Sequence, residues 1–131
     1  IAVTGVVFHL ALAQLQELTR WHAVADAVLH TVSPIMAVLG WLAFGPRGEL
    51  TPRVVLLAVI PPVAWIGYTL VRGALVLDRF GKPYYPYPFM DVGRHGYPTV
   101  LLNVTLVAVL FLAISFGALV LDRRLPGRRV H

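Results

Sequence analysis

The chain contains 131 residues, of which 58% are hydrophobic and only 13% are charged, and its mean hydropathy is +0.76. A water-soluble domain carries about 25% charged residues, because its surface must contact water, so this composition excludes an ordinary soluble fold. The net charge of +5 does not indicate nucleic-acid binding, because the arginines flank apolar runs, where membrane proteins place them.

Four apolar runs predict the fold. The first, Ile1–Ala13, is shorter than the ~20 residues that a spanning helix requires, and the next three are long enough. We therefore expect an all-α fold, a multi-pass transmembrane helical bundle with three full spans and one partial span, in a single domain over residues 1–131. The predicted helical segments are 1–14, 27–44, 53–77 and 98–121, followed by a basic tail at 122–131. Because the chain begins inside an apolar run and without Met, we expect it to be the C-terminal part of a longer protein.

The connections between the runs are polar or rich in proline and glycine. Residues Gln14–Asp26 form a predicted interfacial connection, and Gly45–Pro52 form a tight turn. Residues Asp78–Tyr97 form an extended loop that contains four of the five tyrosines. Pro61 and Pro62 lie near the middle of the third run, where they predict a kink.

Basic residues predict the orientation in the membrane. The side with the 45–52 turn and the tail carries six arginines, whereas the opposite side carries five basic residues. The dense arginine tail therefore favours a protein of the cell membrane whose C-terminal tail is cytoplasmic.

One heptapeptide occurs twice: Gly73–Arg79 and Gly117–Arg123 both read Gly-Ala-Leu-Val-Leu-Asp-Arg. An internal duplication and a coincidence of limited composition both account for the repeat. Nothing else in the two halves matches, which favours coincidence.

His30 is the main candidate for chemistry. An ionisable side chain inside a span is costly and tends to face a bundle interior or a water-filled cavity. A neutral imidazole there can act as general base, and the alternative is a structural histidine hydrogen-bonded across helices. His9 lies in the adjacent run and can meet His30, but no third ligand follows at helical spacing, so we predict no metal and no cofactor.

The predicted topology brings His30, Arg72 and the Tyr84–Asp91 segment to the same face of the membrane, where they can line one pocket. The predicted substrate-binding residues are Arg72, Tyr87, Phe89, Asp91 and Trp65. For Arg72 the alternative is a side chain that extends to the interface, and for Trp65 it is packing or an interfacial position. The tyrosine–proline segment is either an interfacial aromatic belt or a cap over the pocket.

Four short patterns occur in chain order: His30-Thr-x-x-Pro34, Trp41-Leu, Tyr68-x-x-x-Arg72-Gly and Tyr87-Pro-Phe-x-Asp91-Val. Together they resemble a family of small six-helix integral membrane proteins common in actinobacteria, mostly of unknown function. That family is distantly similar to the androgen-induced and androgen-dependent TFPI-regulating proteins, which are multi-pass hydrolases of fatty-acid esters of hydroxy fatty acids. The resemblance covers residues 1–125. It implies that His30 matches an intramembrane histidine of the family, and that the threonine nucleophile lies on a helix that precedes this chain.

The resulting functional hypothesis is a multi-pass integral membrane protein that forms part of a lipid-ester hydrolase, with His30 as general base. The alternatives are a non-catalytic membrane protein that binds lipid or a small hydrophobic ligand, and a structural or scaffold membrane protein. The expected partners are membrane lipid and a fatty-acyl substrate, without nucleic acid.

Overall fold

A computed structural model describes residues 1–13 and 19–126 of the chain, and most of these residues are helical. Residues 14–18 of the predicted first connection and residues 127–131 of the predicted tail lie outside the described residues. The β-type pairing in the described part of the chain is an isolated antiparallel bridge between Leu77 and Pro83. Three helices there are long and apolar enough to cross a membrane, which confirms the predicted all-α, multi-pass fold class.

The helices follow one another as α1 Ala2–Leu12, α2 Arg20–Phe44, α3 Pro52–Leu75 and α4 Val92–Arg124. The last three contain 25, 24 and 33 residues, which gives lengths of roughly 36–50 Å at 1.5 Å per residue. Each exceeds the ~30 Å hydrocarbon core of a bilayer, whereas α1 does not. Large apolar side chains on all three are more than half exposed, as expected for surfaces that contact lipid; examples are Leu29, Leu57 and Leu102.

These helices form two compact units. The first contains Ile1–Thr51 and Ile114–His131, and the second contains Pro52–Ala113. Within the first unit, the Asp122 carboxylate accepts a hydrogen bond from the Leu50 N–H at 3.0 Å. Asp122 is only 2% exposed, so this contact lies in the interior of the unit and ties the turn after α2 to the end of α4.

Two helices extend beyond the predicted apolar segments. α2 begins at Arg20 rather than at residue 27, and α4 continues to Arg124 rather than to residue 121. Thr19 has extended backbone angles, and its carbonyl accepts the Ala23 N–H at 2.9 Å, which starts α2. The additional turns contain charged residues, and hydropathy marks the apolar core of a helix rather than its ends.

A break in α3 lies where the double proline predicts it. The helix is interrupted at residues 58–59, directly before Pro61 and Pro62. The prolines have no N–H, so two carbonyls one turn earlier lose their helical donors. At the break the Val59 N–H donates to the Leu56 carbonyl, three residues earlier, at 3.2 Å. This turn is tighter than an α-helical turn, and the helix continues after it.

α4 contains a break at Gly96, whose φ of 72° and ψ of 159° are not helical. The turn before this break is anchored by Asp91, whose carboxylate accepts the Arg94 N–H at 3.1 Å. The regular helix resumes after Gly96, so Pro98 occupies its first turn, where a missing N–H costs little. The predicted start at residue 98 therefore corresponds to the continuous part of α4.

The connection between α3 and α4 is more compact than the extended loop that we predicted. A tight turn around Gly81, whose φ is 75°, is closed by a hydrogen bond from the Asp78 N–H to the Lys82 carbonyl at 2.7 Å. The Asp78 carboxylate also accepts the N–H groups of Phe80 and Lys82, at 2.8 and 2.9 Å. Aspartate commonly stabilises turns through such bonds, and glycine adopts the positive φ without strain. A short 3₁₀ turn, Pro88–Met90, then leads to α4.

Tyr85 packs this loop against α3. Gly73 is buried, and a Cβ added there would overlap the Tyr85 ring, so the loop approaches the helix as closely as glycine allows. Burial raises the pKa of the Tyr85 phenol above its ordinary value of 10.0, and the negative charges of Tyr97 and Asp91 add to this effect.

The repeated heptapeptide has two different structures. In the first copy the helix ends at Leu75 and the remaining residues enter the loop, whereas the second copy stays helical throughout. Asp78 stabilises a turn, and its counterpart Asp122 is buried against Leu50. Tertiary contacts therefore decide the local structure of this sequence.

We expect Gly73→Ala to destabilise the protein by about 1–3 kcal/mol, because the new Cβ would overlap the Tyr85 ring. Thermal unfolding in detergent, followed by circular dichroism, would show this as a lower midpoint. The matched control is Gly67→Ala on the same helix, where a Cβ has no neighbour within 4 Å. Equal midpoints for the two variants would contradict the packing of Tyr85 on Gly73.

Candidate functional site

An apolar groove lies between α1 and α2 in the first unit. Its volume is about 510 Å³, and of the eleven residues that line it only His9, His30 and Thr31 have polar side chains. Small-molecule sites usually have volumes of roughly 300–1,000 Å³ and combine apolar walls with a few polar groups. The groove has both properties.

The separation of the two helices is set by the contact of Gly5 with Pro34. A Cβ at Gly5 would lie 3.0 Å from the Pro34 Cβ and 3.2 Å from the His30 carbonyl oxygen, so a larger residue would force the helices apart. Phe8 and Pro34 are both buried. Small residues at helix contacts permit such close approach in membranes. The His30 carbonyl also lacks its usual helical donor, because Pro34 stands one turn later.

Each helix has a π-helical turn at the polar end of the groove. The two turns are Phe8–Leu12 and Val28–Val32. π turns are rare and frequently occur at functional sites, since the additional residue in the turn redirects the side chains around it. The three polar residues that line the groove, His9, His30 and Thr31, all lie in these two turns.

The imidazole of His30 is held by Asp26, one turn earlier on α2. Its Nδ1 atom lies 2.9 Å from the Asp26 carboxylate and 3.2 Å from the Asp26 carbonyl oxygen. Because both neighbours accept hydrogen bonds, a neutral ring carries its proton on Nδ1 and its lone pair on Nε2. Within residues 1–13 and 19–126, Nε2 has no hydrogen-bond partner, and the side chain is 30% exposed. The two contacts with Asp26 thus fix the orientation of the His30 ring.

A second polar pair joins the two helices. The Nε2 atom of His9 and the Oγ1 atom of Thr31 are hydrogen-bonded at 3.0 Å. Phe8 lies between the two histidines: its ring stacks on His30 at a centroid distance of 4.2 Å and meets His9 edge-on at 5.3 Å. The structure therefore connects His9 to Thr31, and the two histidines each contact Phe8. Among the described residues, no three His, Cys, Asp or Glu side chains are placed to hold a metal ion.

Sequence reasoning identified His30 but missed both of the pairs. Asp26 and His30 have the i, i+4 spacing of neighbours on one helix face. This signal was hidden because the predicted helix began at residue 27, which left Asp26 in a connection. The hydrogen bond between His9 and Thr31 joins residues 22 positions apart, and no local sequence pattern predicts it.

Three of the predicted substrate-binding residues meet in the second unit. The Trp65 ring contacts the Tyr87 ring edge-on at 5.7 Å, and Tyr87 stacks on Phe89 at 5.4 Å. The Phe89 carbonyl accepts a hydrogen bond from the Asn103 amide at 3.0 Å. The aromatic cluster thus attaches the tyrosine–proline segment to α3 and α4 within this unit.

The other two predicted residues have separate contacts in the second unit. The Arg72 guanidinium lies over the Tyr84 ring, 5.5 Å from its centroid. The Asp91 carboxylate is bonded to the backbone at the start of α4, which gives it a structural role. His30 belongs to the first unit, so a pocket shared by His30, Arg72 and the tyrosine–proline segment stays a prediction.

Comparison with known proteins does not assign this chain to a family. No protein-family model matches the chain, and neither a curated protein nor a solved structure matches it. The resemblance to the actinobacterial membrane proteins therefore stays a prediction.

We expect Thr31→Val to lower the stability of the protein by about 0.5–1.5 kcal/mol, because it removes the hydrogen bond to His9 with little change in shape. The midpoint of thermal unfolding in detergent measures the loss. Thr4→Val is the matched control, because Thr4 is an exposed threonine on α1. In a His9→Phe background Thr31→Val should have no further effect from this bond, and an undiminished loss there would contradict it.

Proposed function

We propose that this membrane protein forms part of a lipid-ester hydrolase in which His30 acts as general base. The observation that carries the proposal is the Asp26–His30 pair at the polar end of an apolar groove. A carboxylate that holds one imidazole nitrogen and leaves the other accessible is the arrangement that orients a histidine base in hydrolases. The implied role of His30 in the resembled family agrees with this assignment.

The groove supports an acyl chain as the apolar part of the substrate. Eight of its eleven lining residues are apolar or glycine, and the polar residues lie together in the two π turns. An acyl chain in contact with the apolar wall would bring its ester group towards this polar end. The substrate class is therefore a lipid ester with at least one long acyl chain.

In the proposed reaction, a threonine hydroxyl attacks the ester carbonyl while His30 Nε2 takes its proton. Asp26 stabilises the imidazolium that forms. As the C–O bond of the ester breaks, His30 returns the proton to the departing alkoxide, which leaves as the alcohol. Water then attacks the acyl-threonine with His30 again as base, which releases the fatty acid and restores the hydroxyl.

Two threonines are candidates for the nucleophile. The resemblance implies one that precedes this chain. Thr31 is the alternative within the chain, because its hydroxyl is already hydrogen-bonded to the His9 imidazole, and its proton would then pass to His9 rather than to His30. The site of covalent labelling distinguishes them.

A non-catalytic protein that binds lipid is the second candidate function. The observation that favours it is the pairing of Thr31 with His9, which satisfies two of the three polar groups of the groove without a ligand. Such a protein would bind a fatty-acyl ester in the same groove and release it unchanged.

We expect His30→Gln to lower hydrolysis of a fatty-acyl ester by about 10²–10⁴-fold, because that is the usual contribution of a general base. Asp26→Asn should also lower the rate, since it removes the charge that holds Nδ1. The assay is fatty-acid release by the protein in lipid nanodiscs, together with fluorophosphonate labelling and mapping of the labelled threonine.

His22→Gln is the matched control, because His22 lies on the same helix with its ring bonded to Thr19, at 2.7 Å. It should keep the wild-type rate. Equal labelling and equal rates for His30→Gln and the wild type would exclude a catalytic His30. Binding of the ester without any release, by a protein that includes the candidate threonine nucleophile, would establish the non-catalytic alternative.

A further inference from the structure

A second cavity lies in the second unit, where α3 ends and the following loop begins. Its volume is about 440 Å³, and seven residues line it, among them Arg72, Arg79 and Asp78. The two arginines give it a positive charge, of which the Asp78 carboxylate offsets one. The cavity therefore has a net charge of about +1.

The guanidinium groups are arranged for an anionic ligand. Arg72 lies over the Tyr84 ring at 5.5 Å, and Arg79 lies over the Phe80 ring at 4.8 Å. Stacking uses the flat face of a guanidinium and leaves the N–H donors at its edge for hydrogen bonds. Within residues 1–13 and 19–126 neither arginine forms an ion pair with an acidic side chain. A phosphate can accept two parallel N–H bonds from each such edge.

The acidic residue of the cavity, Asp78, already accepts hydrogen bonds from the backbone. Its Oδ1 atom accepts the N–H groups of Phe80 and Lys82, and these bonds hold the turn. Asp78 thus shapes the cavity and lowers its charge to a value that one phosphodiester would neutralise.

The position of the cavity favours a lipid rather than a free anion as its ligand. Arg72 lies in the last turn of α3, whose 24 residues measure roughly 36 Å, slightly more than the ~30 Å hydrocarbon core. The end of this helix is therefore expected at the level of the lipid headgroups. Beside the arginines, Leu75 is 77% exposed and Phe80 is 71% exposed, so apolar surface adjoins the cationic groups.

We propose that this cavity binds the phosphodiester of an anionic phospholipid through Arg72 and Arg79, with the acyl chains against the adjoining apolar surface. The site belongs to the second unit and is independent of the proposed hydrolase chemistry at His30. It makes the protein selective among the lipids that surround it.

The test offers the purified protein equal amounts of phosphatidylglycerol and phosphatidylcholine in mixed micelles, and native mass spectrometry measures which lipid is retained. The wild type should retain phosphatidylglycerol with a preference of about 5- to 30-fold, the scale expected for one to two positive charges at a membrane surface. R72Q/R79Q should lower this ratio to near one. R72K/R79K should give an intermediate ratio, because lysine keeps the charge but not the two-pronged edge.

The matched control is K82Q/R94Q, which removes two positive charges from the same unit outside the cavity. It should keep at least half of the wild-type ratio, and an equal loss in both double variants would overturn the site in favour of general surface charge. An absence of preference in the wild type would also overturn it. Because Arg79 lies in an exposed turn, R79Q alone provides the test if the double variant does not fold.

Inorganic phosphate separates the two sources of the anion. Millimolar phosphate should not displace phosphatidylglycerol from the wild type, because phosphate has no acyl chains to contact Leu75 and Phe80. Complete displacement would show an anion site without lipid recognition and would overturn the lipid part of the proposal.

Discussion

The constraint on which this structure depends is that no water reaches the backbone inside a bilayer. Each unpaired N–H or carbonyl group there costs several kcal/mol, so a spanning segment must be a helix that satisfies its own polar groups. The three long helices meet this requirement over apolar stretches whose side chains face outward. A consequence is that most of each span is apolar, and the polar side chains within it are few.

The candidate site shows how such side chains are arranged. Gly5 and Pro34 bring two helices into close contact, and both helices change to a π turn beside that contact. The polar side chains beside this contact pair with one another, Asp26 with His30 and Thr31 with His9. The contacts with Asp26 also fix the His30 ring and favour the proton on its Nδ1 atom.

Much of the architecture follows from the sequence because hydropathy and proline act locally. The apolar cores of the helices, the break before Pro61-Pro62 and the position of His30 within an apolar run are all visible in short windows. The π turns are not, since one additional residue in a turn leaves composition and approximate period unchanged. Contacts between distant residues, such as His9 with Thr31, carry no local signature. The repeated heptapeptide shows the limit of prediction from local sequence, because the same seven residues end one helix and continue another.

The bond between Leu50 and Asp122 also has a consequence for biosynthesis. The two residues are 72 positions apart in the chain, and the first unit is assembled from both ends of the sequence. At a synthesis rate of roughly 5–20 residues per second, Asp122 is made about 4–14 s after Leu50. The nascent helix pair that forms the groove therefore exists before the carboxylate that closes its turn. The bond can therefore form only after the last helix is synthesised, and until then the Leu50 amide must find a temporary acceptor.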